Sequence, residues 1–189
     1  GLDLEQVIRG ADAGALADAL AKLLLALRLA PVPTAAVVTG EVKGGGVGLA
    51  AACDVVIAAE DAEFALPELL FGLTPAIILP LLLERVAPQR LRLRALAGGA
   101  WPAAAALADG LVDRVAACDE VDAVARAALG ALRRPRRETV AAWKALTAES
   151  ADLAADLKRG ARLTAAALDD GDTRRRLDAF HREGAPPWL

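Results

Sequence analysis

Apolar residues recur at helical spacing from Leu4 to Leu29, with Gly10 and Gly14 marking an early break, so the pattern predicts its firmer helix from Ala15 onward. Ala30-Pro31-Val32-Pro33 stops it. The period then changes: Pro33-Thr34-Ala35-Ala36-Val37-Val38-Thr39 is a short apolar run rich in β-branched residues, the mark of a buried strand. Val47 to Cys53 is small and apolar enough for a helix packed on several sides, and Asp54-Val55-Val56-Ile57-Ala58-Ala59 is a second buried strand. Strand, glycine turn, helix and strand make a βαβ unit and an α/β fold class.

Further along, Glu60 to Glu63 is a polar turn and Phe64-Ala65-Leu66 a brief extended piece ended by Pro67. Ile77 to Val86 is predicted helical, and Ala87-Pro88-Gln89-Arg90 separates it from Leu91 to Ala97. Trp101-Pro102 is expected to begin a helix reaching Ala108, Asp109-Gly110 to stop it, and the residues up to Val115 to form a short strand. From Glu120 onward the pattern is helical, with breaks near Pro135 and Gly171.

The turn in the βαβ unit is Lys43-Gly44-Gly45-Gly46. Residues without Cβ let a ligand approach the backbone, and the N-terminus of the following helix points free N–H groups at it. A tight turn with no chemistry is the plain alternative. A P-loop needs Lys-Ser or Lys-Thr after the last glycine, whereas Lys43 precedes the triplet; the dinucleotide fingerprint needs wider glycine spacing. A backbone donor site for a carbonyl that becomes an oxyanion fits both spacing and context.

The chain has 189 residues, 56% of them hydrophobic, which suits one domain with an ample core. A net charge of −3 lacks the basic surplus of a polyanion binder, and three Trp, three Phe and no Tyr argue against stacked bases, so no nucleic acid is expected as partner. The clusters Arg133-Arg134-Pro135-Arg136-Arg137 and Arg174-Arg175-Arg176 suit solvated helix ends better than an anion site. Cys53 and Cys118 fit no metal-ligand spacing, so no metal is expected, and two buried thiols in a reducing cytoplasm fit them best. With no signal sequence, and with apolar runs broken by Pro, Glu and Arg, a cytoplasmic protein without a membrane span is expected.

Glu68 is the odd residue of Pro67-Glu68-Leu69-Leu70-Phe71. Pointing inward, it would be desolvated and its pKa raised toward the range useful for proton transfer; pointing outward, it is a solvated turn residue. Lys43 reads as a surface residue before a contact to an acidic acyl group, His181 as a surface or subunit-contact residue, and Asp54 and Asp113 as strand-end or turn residues.

Gly1-Leu2-Asp3-Leu4, Pro31 to Val37, Gly40 to Asp54, Ala62-Glu63-Phe64, Pro67 to Pro75 and Ala108 to Val112, in this order, resemble the crotonase, or enoyl-CoA hydratase/isomerase, superfamily. That resemblance implies a crotonase-like superhelix of ββα turns over 1–119 and a helical trimerisation region that covers the active site over 120–189. It implies a homotrimer or dimer of trimers, no cofactor, and an acyl thioester carried on coenzyme A or a phosphopantetheine arm. It also implies strands before Gly1, with one oxyanion donor supplied by the residue preceding it. The Gly45 N–H is then the other donor, Glu68 the acid/base, and Gly44, Gly46, Lys43 and Leu73 substrate-binding residues.

Typical family hydratases carry two glutamates, and where the first would stand this chain has Gly48. Addition of water by two carboxylates is therefore not expected. The words Gly46 to Asp54 and Glu68 to Pro80 look like the dehydratases of polyketide β-branching, which act on a 3-hydroxy-3-methylglutaryl group held on an acyl carrier protein. Lys43-Gly44 departs from the Asn-Ala of that subgroup. An enoyl-CoA hydratase/isomerase, or another single-glutamate member of the family, acting on free coenzyme A thioesters and a non-catalytic partner subunit are the alternatives.

Overall fold

The computed structural model describes residues 4–148 and 152–183. Helix α1 (Leu4–Ile8) is separated by Gly10 from α2 (Ala13–Arg28), whose first turn is capped by Asp12 accepting the Ala15 N–H at 3.0 Å. The helix thus begins two residues before Ala15, because the cap lies upstream of Gly14.

Strands β1 (Ala35–Val38), β3 (Val55–Ala59) and β6 (Arg114–Ala116) form a parallel sheet in the order β1-β3-β6. A second sheet, β2-β4-β5, pairs β2 (Glu41–Lys43) in parallel with β4 (Glu63–Ala65), and β4 antiparallel with β5 (Trp101–Pro102). Gly40 turns the chain from β1 into β2, and α3 (Gly45–Ala52) then leads to β3.

Three expectations are corrected. The polar word Glu41-Val42-Lys43 is a strand, so the glycine turn follows β2 in a second sheet and not β1 directly. Trp101-Pro102 pairs with Phe64 and Glu63 as β5, because the residue before proline is driven toward extended backbone; helix α6 (Ala103–Asp109) starts only after it. The helix expected over Ile77 to Val86 shrinks to α4 (Leu79–Leu83), with Pro80 in its first turn. The helix stop at Asp109-Gly110 is as expected, and the following strand lies at Arg114–Ala116, slightly later than its pattern suggests.

Asp54 and Asp113 tie strand ends together, as expected of them. Asp54 accepts from the Thr34 N–H (2.6 Å), the Thr34 hydroxyl (2.9 Å) and the buried Lys144 (2.7 Å), while Asp113 accepts from the Val56 N–H (2.7 Å) and Arg85 (3.1 Å). The thiols differ from expectation. Cys53 is half-buried and Cys118 exposed, because each lies at the end of an element and not on its buried face.

Helix α5 (Pro88–Ala97) follows α4, and α7 (Val121–Leu132) covers β3 and β6. Beyond α8 (Arg137–Ala148) come α9 (Leu153–Asp169) and α10 (Gly171–Glu183). Leu153, Leu157 and Ala161 of α9 share the main core with Ala17, Leu20, Ala21 and Leu24 of α2. Gly160 lets α9 lie on the main chain of the loop before α4: a Cβ there would be 2.3 Å from the Ala76 carbonyl oxygen. That close approach fixes one wall of the site. Among the described residues no helix is long and apolar enough to cross a membrane.

Candidate active site

Helix α3 begins at Gly45, and its first ladder bonds run from the Val47 and Gly48 N–H groups to the Gly44 carbonyl at 2.9 and 3.4 Å. The N–H groups of Gly45 and Gly46 therefore precede the helical ladder and carry the positive end of the helix dipole. Gly44 is held by its own N–H donating to the Ala65 carbonyl (3.0 Å), with φ +52° and ψ −120°, a conformation only glycine adopts readily.

Facing this turn, Glu68 opens a single 3₁₀ turn (Glu68–Phe71) after Pro67. A Cβ on Gly44 would sit 3.2 Å from Glu68 Oε1, so carboxylate and glycine turn are in near contact. The other oxygen, Oε2, is sealed from solvent and has no hydrogen-bond partner among the described residues. Burial pushes the Glu68 carboxyl up from 4.5 to about 7, only partly opposed by a backbone hydrogen bond. The inward-facing reading of Glu68 is the one the fold adopts.

Glu68 and the turn line one cavity of about 240 Å³. Lys43, Gly44, Gly45, Glu68 and Leu73 are brought together on its walls; Gly46 is not, and instead abuts Val42, whose Cγ1 would lie 3.1 Å from a Gly46 Cβ. Lys43 is well exposed at the rim and engaged with Glu41 at 2.6 Å, which holds the Glu41 carboxyl below its usual range. A second, apolar cavity of about 420 Å³ adjoins the first and shares Lys43, Pro67 and Phe71 with it. The partner donor expected from the residue before Gly1, like the Gly1-Leu2-Asp3 word itself, lies outside the described residues.

Gly48 has a physical reason to be glycine. A Cβ there would lie 2.1 Å from Ile78 Cγ2 and 2.8 Å from Ile78 Cβ, so the volume a second carboxylate would need is filled by Ile78. Gly48→Ala should cost about 1–3 kcal/mol in thermal or urea unfolding, and adding Ile78→Ala should remove part of the strain. Non-additivity of the pair is the sign to seek; simple addition would show that the two do not collide.

Other candidates fall outside the site. Arg175 and Arg176 pair with Asp172 of their own helix, Arg174 with Asp169, and Arg133 to Arg137 are exposed, as solvated helix ends are. His181 is exposed in the last turn of α10. Sequence reasoning missed Ile78 and Thr164, which line the same cavity from the loop before α4 and from α9; neither is marked by any local pattern.

The whole chain, residues 1–189, matches the model of the enoyl-CoA hydratase/isomerase family. The chain belongs to the enoyl-CoA hydratase/isomerase family. Its crotonase-like α/β fold is shared with the solved structure of pksH from Bacillus subtilis, at TM-score 0.81 and 30% identity over 87% of this chain and 65% of that one. An enoyl-CoA hydratase from Mycobacterium avium superposes at TM-score 0.82 and 29% identity, over 94% of this chain and 70% of that one. In sequence, the bacillaene synthase dehydratase PksH of Bacillus subtilis (strain 168) is 34% identical over 140 residues, which is 74% of this chain and 53% of the relative. The chain thus spans little more than half the length of that relative. Within this family frame, one wall of the cavity holds a desolvated carboxylate, another a glycine-lined helix start, and the Gly48 position is closed.

Proposed function

We propose that the protein is a lyase that dehydrates a 3-hydroxyacyl thioester through an enolate. The observation that carries this reading is the pairing of a desolvated, half-unpartnered Glu68 with the glycine turn while Ile78 occupies the room beyond Gly48. In the ionised form Glu68 takes the C2 proton, and the electron pair moves into the thioester C–O bond. The resulting oxyanion is held by the Gly45 N–H at the start of α3, which needs no reorganisation to receive it. The enolate then expels the C3 oxygen, and Glu68, now a carboxylic acid, returns its proton to it. Water and an enoyl thioester result, with Glu68 again ionised.

Burial of Glu68 serves both steps. A carboxylate near pKa 7 is a stronger base toward C2 than an exposed one, yet is readily protonated enough to hold the proton until hydroxide departs. Because the base form is required, kcat/KM for dehydration should be half-maximal near pH 7 and fall about tenfold per unit below it. A midpoint near 4.5 would show a solvated carboxylate in its place.

Similarity to a relative named as the bacillaene synthase dehydratase supports dehydration; the substrate proposed, from the resemblance of Gly46 to Asp54 and Glu68 to Pro80 to the β-branching dehydratases, is a 3-hydroxy-3-methylglutaryl group on an acyl carrier protein. The apolar cavity adjoining the site offers room for the acyl group, and the protein is proposed to work in the cytoplasm as a homotrimer or dimer of trimers without a cofactor of its own. Comparison of one hydroxyacyl group on carrier protein and on coenzyme A tests this: the carrier form should be turned over much faster. Equal rates would favour a free coenzyme A thioester substrate, and no turnover of either by pure protein would favour a supporting subunit.

A further inference from the structure

Apart from Glu68 and the glycine turn, the buried wall of the cavity carries one other polar side chain among the described residues, that of Thr164. Thr74 also borders the cavity but is exposed at its mouth, and Lys43 is engaged with Glu41 at the rim. Thr164 is 6% exposed and sits on an otherwise largely apolar wall, with Leu20, Ile77 and Ile78 among its fellow lining residues. A polar side chain set among apolar ones on a cavity wall is the kind of group that orients a ligand by a hydrogen bond, so Thr164 points to a substrate oxygen on its side of the cavity.

Position narrows what that ligand group is. Thr164 lies four residues beyond Gly160, on the same face of α9. Gly160 rests on the Ala76–Ile77 main chain, so Thr164 borders the segment from which Ile77 and Ile78 enter the cavity. This is the side on which Ile78 closes the Gly48 position. The thioester oxygen is allotted to Gly45 and the C2 proton to Glu68, so until Glu68 returns that proton the C3 oxygen is left without a polar group assigned to hold it.

We propose that the Thr164 hydroxyl binds the C3 hydroxyl of the substrate, making Thr164 the residue that selects 3-hydroxyacyl over saturated acyl thioesters. The inference rests on the dehydration reading for the identity of the substrate, but predicts a binding preference that can be measured without turnover. In the proposed reaction Thr164 keeps its own proton; it orients the C3–O bond for cleavage, and the proton that makes water comes from Glu68.

The test uses Glu68→Gln protein, which holds substrate unreacted, and measures the affinities of 3-hydroxybutyryl-CoA and butyryl-CoA by calorimetry. The parent variant should prefer the hydroxy compound about tenfold, near the upper end of what one hydrogen bond contributes. Adding Thr164→Val, equal in shape, should bring the ratio close to one with butyryl-CoA affinity unchanged, while Thr164→Ser should keep the preference. A ratio near one in the parent, or a preference that survives Thr164→Val, overturns the proposal. If the preference behaves as stated but the protein with Glu68 intact releases no enoyl product from either a coenzyme A or a carrier-bound hydroxyacyl group, the hydroxyl contact stands and the dehydration reading falls.

Discussion

Glu68→Gln should abolish dehydration, lowering kcat by about 10³-fold or more, while leaving a folded and more stable protein. The catalytic loss follows from removing the proton acceptor, since general acid–base catalysis contributes on the order of 10²–10⁴ and, among the described residues, no second carboxylate lines the cavity. The gain in stability follows from the same burial. A carboxyl raised from 4.5 to about 7 binds its proton more tightly in the folded than in the unfolded state, so its ionisation opposes folding. That cost is absent below pH 4.5, grows as pH rises toward 7 and is constant above, reaching at most about 3 kcal/mol. Glu68→Gln should therefore unfold at higher temperature than the parent at pH 8 and close to it at pH 4. Loss of activity together with raised stability separates a missing base from a damaged fold; loss of both would place Glu68 among the structural residues.

Gly44→Ala carries the second large effect. At φ +52° and ψ −120° an alanine is strained by about 1–3 kcal/mol, and its Cβ would stand 3.2 Å from Glu68 Oε1. Relief by turning the Gly44–Gly45 peptide moves the Gly45 N–H away from the oxyanion; relief at Glu68 moves the base. Either way kcat should fall about 10²-fold, the scale of one lost oxyanion donor, with a smaller change in KM. Gly130→Ala is the matching control: it lies inside α7, a Cβ there meets nothing within 4 Å, and it should leave kcat unchanged while adding about 0.5–1 kcal/mol of helix stability. Full activity in Gly44→Ala would show that the turn has no part in the chemistry.

The elements readable in the sequence are those whose own composition decides them. Val55 to Ala59 is apolar on both faces because α3 and α7 cover its sheet, and Gly44 marks a helix start because its φ of +52° is one that only glycine adopts readily. β2 was hidden, since Glu41-Val42-Lys43 becomes a strand only by pairing with Glu63 to Ala65, some twenty residues on. Glu68 could be singled out as a carboxylate amid leucines, but its inward orientation depends on the 3₁₀ turn and the near contact with Gly44. Gly48 shows most clearly where local reading ends. The absence of a glutamate there is visible in the sequence, whereas its cause, the Ile78 side chain in the same space, comes from a loop thirty residues away. Thr164 is more distant still, placed by the packing of α9 on α2 and on the loop before α4.

The central claim is that Glu68 removes a C2 proton beside a carbonyl held by the glycine turn, and solvent exchange measures that step without any leaving group. Incubated in D2O with butyryl-CoA, or with the butyryl thioester of a carrier protein, the protein should wash deuterium into C2 with a pD profile whose midpoint lies near 7, and Glu68→Gln should show none above background. Exchange that persists unchanged in Glu68→Gln would contradict the account.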